Sequence, residues 1–274
     1  MSLPTYTTKW ELIGYRALQV FCVGVLFFLV VPILFVIPMS FSASSYFEFP
    51  PPAFSLKWYN KFLSDAHWIA TFQHSFYVGI TSTFCATFLG TLASIGLVRG
   101  RFRGKNLIMA FVLSPMVVPL IITACGLYFM LSFLGLIGTF TGLVIAHTAL
   151  GVPFVVVVVS ASLQGFDRNL ERAALSLGAS PVRTFFKVTA PIVAPGIFTG
   201  AIFAFITSFD EVVIALFLAG PKWRTLPVKM FEGIRFEVNP TITAVATLVL
   251  MLAILVLLTS IWLSMRSARL RGER

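Results

Sequence analysis

Residues 164–191 read QGFDRNLERAALSLGASPVRTFFKVTAP, a polar connection set between long apolar runs. Leu170, Ala173, Ala174 and Leu177 recur at helical spacing, with Asp167 positioned to cap that helix and Gly178 to stop it. Ser180 and Pro181 then open a second short helix, with Val182, Phe185 and Phe186 apolar and Arg183 and Lys187 polar. The pattern predicts a helix-Gly-helix elbow. Small residues at Ala173, Ala174 and Ala179 suit close docking into a groove on another protein. The same segment also suits an amphipathic elbow resting on lipid headgroups.

On both sides of the elbow the chain is strongly apolar. Of its 274 residues 58% are hydrophobic and 11% charged, against roughly 45–50% and 25% in an ordinary soluble domain, which excludes a soluble globule. A helix needs about 20 apolar residues to cross the hydrocarbon core. That length divides the chain into six expected spans at 17–39, 72–98, 107–131, 140–163, 195–217 and 241–265. The first is longer than a signal-peptide core of about 7–15 residues and is read as a retained span. Pro32 and Pro153 lie inside spans one and four as simple kinks, whereas the pair Pro115 and Pro119 at the middle of span three predicts a broken helix lining a pathway.

The net charge of +10 has an orientation reading. Fourteen of the 20 bases fall on one side: Lys9 and Arg16, the four of the 99–105 turn, the four of the elbow, and Arg266, Arg269, Arg271 and Arg274. Lys57, Lys61, Lys222, Arg224, Lys229 and Arg235 fall on the other. Both termini are therefore expected in the cytoplasm, with a cytoplasmic segment 1–16, a six-span domain 17–265 and a basic tail 266–274. Nucleic-acid binding is the weaker reading of these bases. The 99–105 turn fails as a phosphate loop, because Gly100 and Gly104 are too close together and Asn106 stands where Ser or Thr is required. Cys22, Cys85 and Cys125 sit in apolar runs without metal or disulfide spacing.

The elbow resembles the EAA loop of the membrane subunits of ABC importers, whose pattern is Glu-Ala-Ala, three residues, Gly, nine residues, Ile, one residue, Leu-Pro. Here Ala173 and Ala174 are followed at that spacing by Gly178, then by Val188, Ala190 and Pro191. Arg172 occupies the position of the pattern's Glu, with Glu171 one residue earlier, and Val188 and Ala190 replace Ile and Leu. The resemblance implies an all-α integral membrane protein with the six-helix type I importer permease fold, in a bacterial inner membrane. It implies that Glu171, Arg172, Ala173, Ala174, Gly178, Ala179, Ser180 and Pro181, within a coupling loop 164–190, engage an ATPase dimer. A second permease subunit, identical or homologous, and an extracytoplasmic solute-binding protein complete the implied assembly. No cofactor is expected in this chain; ATP and Mg²⁺ would be held by the partner ATPase, and the chain is not itself an enzyme.

Asp210 and Glu211 are the acids inside the apolar runs. An acid near the middle of a membrane helix costs about 2.5–3.5 kcal/mol, so it faces a cavity or a partner. Helical spacing sets Thr207, Asp210 and Ile214 on one stripe with Glu211 at its edge, as a pathway for a cationic solute. The structural alternative pairs one acid with Arg224, Lys222 or a cation of a partner chain. His147, Thr148 and Gln164 are further polar residues for either packing or the pathway.

SFDEVVIALFLAGP at 208–221 and TLPVKMFEGIRFEVNPTITAVATLVL at 225–250 are similar to the spermidine/putrescine permeases, which implies a polyamine substrate. Related permeases carry ferric iron, opines or other small solutes. Two readings from other classes are a non-transporting membrane scaffold and an ion-driven carrier; the second predicts an inverted repeat, which the sequence does not display convincingly.

Overall fold

The computed structural model describes residues 8–236 and 239–270, the side chains from 260 onward excepted. Arg271 and Arg274 of the charge census, and residues 1–7 of the expected N-terminal segment, lie outside the described residues. Two compact units form, one from residues 8–64 with 239–250 and one from 65–236 with 251–270.

The first unit begins with α1 (Lys9–Ser40), whose start is closed by a capping box between Thr8 and Glu11. This helix is apolar all round and exposes Phe21, Phe27 and Phe28 along its length, as expected of a surface that meets lipid or another chain. Pro32 and Pro38 are both carried within it. The following segment is folded on itself: the Tyr59 hydroxyl lies 2.7 Å from Ser40 Oγ, and α2 (Lys57–Ser64) buries Trp58 beneath the Lys57 ammonium, 4.5 Å from the ring. Asn239 Oδ1 accepts from the Thr241 backbone N–H at 3.0 Å and so opens α12 (Thr241–Leu270).

The second unit is organised by three long helices, α3 (Ala66–Arg99), α6 (Phe140–Gln164) and α9 (Ala190–Phe209). Membrane helices lack a hydrophobic drive toward one another and gain most from close backbone approach at small residues. Gly151 of α6 provides that approach, because a Cβ there would stand 3.0 Å from the Ala86 Cβ on α3 and 3.1 Å from the Ala204 Cβ on α9. Val155, one turn on, fills the hollows at Gly90 and Gly200. Ser94 of α3 adds a hydroxyl bond of 3.3 Å to the Val156 carbonyl of α6.

Between α3 and α6 lie α4 (Lys105–Val117) and α5 (Leu120–Phe133), bent by 108° across their junction. At about 1.5 Å per residue each is roughly 20 Å long, short of a roughly 30 Å core. The break falls at the second proline. Val118 has ψ 134°, the extended conformation that a following proline ring enforces, while Pro115 is carried inside α4.

Among the described residues five helices are long and apolar enough to cross a membrane, and the bent pair makes a sixth if counted as one span. The six expected stretches map onto these elements in order, with corrected starts: α1 begins at Lys9 rather than 17. Span two begins at Ala66 rather than 72, behind the capping side chain of Asp65. The helix expected from residue 195 starts at Pro181, and α8 (Pro181–Thr184) runs through a π-helical turn at Phe185–Thr189 into α9. The turn has a local cause. Pro191 has no N–H for the Lys187 carbonyl, and the ladder loosens so that the Ala190 N–H reaches the Phe185 carbonyl. The second short helix of the elbow is thus the first turn of a long one.

Candidate functional site: an elbow and an acidic break

The elbow forms from local signals. Asp167 accepts from the Asn169 N–H at 2.9 Å at the head of α7 (Arg168–Ser176). At its foot the Ala179 N–H reaches the Ala174 carbonyl at 3.1 Å and the Gly178 N–H the Leu175 carbonyl at 3.0 Å, the paired bonds of a Schellman turn. Gly178 has φ +85°, a left-handed conformation that disfavours side chains, although a Cβ there would meet nothing within 4 Å. Ser180 then accepts from the Arg183 N–H at 3.3 Å, with Pro181 at the first helical position.

Glu171 and Arg172 point in different directions. The Glu171 carboxylate is bound by the Arg99 guanidinium from the end of α3 and by the Thr189 hydroxyl from the π-helical turn. It ties the elbow to two of the core helices. Arg172 and Ala173 are exposed, Ala174 is half-buried, and Gly178, Ser180 and Pro181 are exposed with Ala179 half-buried.

At the far end of α9 the expected stripe is corrected. The helix stops at Phe209, and a new one, α10 (Val213–Leu218), starts after three residues. Thr207, Asp210 and Ile214 therefore do not share one helical face: Thr207 is half-buried, Asp210 is exposed, and Ile214 is fully buried. Glu211 is buried and accepts from the Ile214 N–H at 2.7 Å, a carboxylate serving the free first turn of α10. The proposed ion pair with Arg224 is also corrected, since that guanidinium lies 3.1 Å from Glu232 of α11 (Leu226–Phe236). Arg224 further offers its carbonyl to His74 Nδ1 at 3.1 Å, holding the segment before α11 against α3.

The break is supported by a buried node built on His147. His147 Nδ1 stands 3.1 Å from the Ser208 carbonyl and 2.8 Å from its hydroxyl, which also accepts from Ser82 Oγ at 3.0 Å. A carbonyl only accepts, so Nδ1 carries the proton. Where α9 ends, the Ser208 carbonyl has lost its helical donor, and His147 replaces it. Ser82 had no distinguishing signal in the sequence, and His147 only its polarity in an apolar run. Thr148 is buried beside this node in sequence, and Gln164 is exposed at the end of α6.

Comparison with known proteins accords with these features. Residues 86–272 match the family described as binding-protein-dependent transport system inner membrane component. The chain is 35% identical over 259 residues to the putrescine transport system permease protein PotI of Escherichia coli K12, covering 91% of this chain and 88% of the relative. It is 32% identical over 240 residues to the spermidine/putrescine transport system permease protein PotC of the same strain, covering 88% and 90%. Among solved structures, a bacterial ABC transporter for import of the acidic polysaccharide alginate superposes with a TM-score of 0.70 at 16% identity over 96% of this chain and 99% of that one. The MetNI methionine ABC transporter superposes at 0.59 and 17% over 73% and 95%. The chain has the type I ABC importer permease fold and belongs to the family of binding-protein-dependent transport system inner membrane components.

Proposed function

We propose that this chain is one half of the translocation pathway of an ATP-driven importer of polyamines, with Asp210 facing the solute. The fold alone does not set the cargo's charge, because solved relatives of this shape import an acidic polysaccharide or an amino acid. The observation that carries the reading is the exposed Asp210 at a helix break, in a chain similar over most of its length to two polyamine permeases. A carboxylate held where the helix opens favours a multivalent cation through its charge. Glu211, spent on the Ile214 N–H, keeps the break in shape.

The family's kind of assembly supports the remaining partners. A second permease subunit completes the pathway, an extracytoplasmic binding protein delivers the solute, and an ATPase dimer binding ATP and Mg²⁺ drives the cycle through the elbow. The distribution of bases supports cytoplasmic termini and a cytoplasmic elbow. Glu171, held by Arg99 and Thr189, would make α7 move with α3 and α9, so that a push on the elbow reaches the helices lining the path.

The test is the complex purified with its partners in lipid nanodiscs, with ATP hydrolysis measured against a panel of putrescine, spermidine, amino acids, ferric iron and an anionic sugar. Stimulation confined to the polyamines is expected. Stimulation by neutral or anionic solutes instead would overturn the substrate assignment.

A further inference from the structure

The elbow turns Glu171 inward and its bases outward, with Asp167 exposed at its head. Glu171 is held by Arg99 and Thr189, and Asp167 is engaged as the cap of α7. Arg168 and Arg172, four residues apart and so on one helical face, are exposed, as are Arg183 and Lys187 beyond the Gly178 turn. None of these four forms an ion pair among the described residues. Apolar side chains stand among them: Leu170 and Leu175 are half exposed, and Leu177 and Val182, on either side of the turn, are 89% and 68% exposed. A surface of this kind is apolar at its centre with a basic rim.

Arg172 has particular significance, because it stands where the EAA pattern has an acid, and the neighbouring Glu171 is already satisfied inside the chain. The charge shown to a partner at that position is therefore reversed. We propose that the ATPase subunit receives this elbow in a groove with an apolar floor and a carboxylate on its rim opposite Arg172. A guanidinium presents paired donors that match a carboxylate in geometry as well as charge, which makes this contact selective among ATPases as well as attractive. An ATPase adapted to an acidic residue at that position would meet Arg172 with a like charge, so the two kinds of subunit would not be interchangeable. The inference rests on the coupling role proposed above.

Assembly and hydrolysis are measured on the full complex in a nonionic detergent without anionic lipid, and uptake on the same complex in vesicles. Arg172→Glu should reduce both co-purification of the ATPase and solute-stimulated hydrolysis at least about tenfold, as truncation or reversal of an interfacial charge does, while Arg172→Lys retains most of both. Arg172→Lys should also form a carbodiimide-induced amide with the ATPase: the carboxyl is activated, the new amine displaces the urea, and mass spectrometry names the carboxylate joined. An Arg172→Glu complex that assembles and hydrolyses as the unaltered one does, while Gly178→Val has lost uptake, would remove the acidic groove and leave the coupling role standing. Undiminished uptake by Gly178→Val would remove the coupling role and the groove with it. A defect of Arg172→Glu seen in vesicles of anionic lipid but absent in nonionic detergent would identify lipid headgroups as the partner and overturn the proposal.

Discussion

The elbow at 164–191 and the break at 208–213 are both interruptions of helix, and they are built in opposite ways. The elbow is made by caps and a left-handed glycine within a few residues of one another, and most of its side chains are exposed. The break is held by groups from other helices: His147 of α6 and Ser82 of α3 bind Ser208, and only Asp210 is left exposed. An exposed interruption with local ties suits contact with another protein, whereas a buried one with distant ties fixes the direction of a single carboxylate.

The comparison breaks first at Gly178. A β-branched residue in the left-handed region costs at least about 1–2 kcal/mol, enough to move most molecules away from the elbow geometry, since about 1.4 kcal/mol is tenfold. Gly178→Val is expected to reduce solute uptake into vesicles by at least about tenfold while leaving the chain in the membrane, because a Cβ there meets no neighbour. Unchanged uptake would mean that the turn is passive.

The second test is made at the buried node. His147→Leu leaves the Ser208 carbonyl without its donor, a loss of about 1–3 kcal/mol, read as a lowered melting temperature of the detergent-solubilised chain. His147→Asn should recover part of it, because the Asn amide nitrogen branches from the same atom as Nδ1 and can donate to the same carbonyl. Equal melting of both variants and the unaltered chain would show that the break needs no support from α6.

The smallest effects separate the two acids. Asp210→Asn is expected to raise the KM for polyamine uptake several-fold with little change in melting, while Glu211→Gln, whose amide oxygen still accepts from Ile214, should change the melting slightly and the KM not at all. The reverse assignment of effects would exchange the roles given to the two residues.

Much of the elbow was legible because its causes are close in sequence. Asp167, Gly178 and Ser180-Pro181 each act on backbone groups within a few residues, and these local rules carried over into the structure. The same rules misplaced the start of the following helix. Pro191 and Pro195 resemble a boundary, but a π-helical turn absorbs the first and α9 carries the second. The stripe Thr207–Asp210–Ile214 requires an unbroken helix, and no neighbouring proline or glycine announces the break that separates it.

A membrane protein of about six apolar segments with a polar elbow is written into composition and short spacing, because hydrocarbon thickness and backbone capping act on these directly. Which charges are free depends instead on contacts between helices distant in the chain. Arg99 and Glu171 are 72 residues apart, and His147 and Ser208 are 61 apart; their pairing depends on how close α3, α6 and α9 approach at Gly151 and its neighbours. That packing turns Glu171 inward, leaves Arg172 outward, and makes Glu211 a structural group while Asp210 stays exposed.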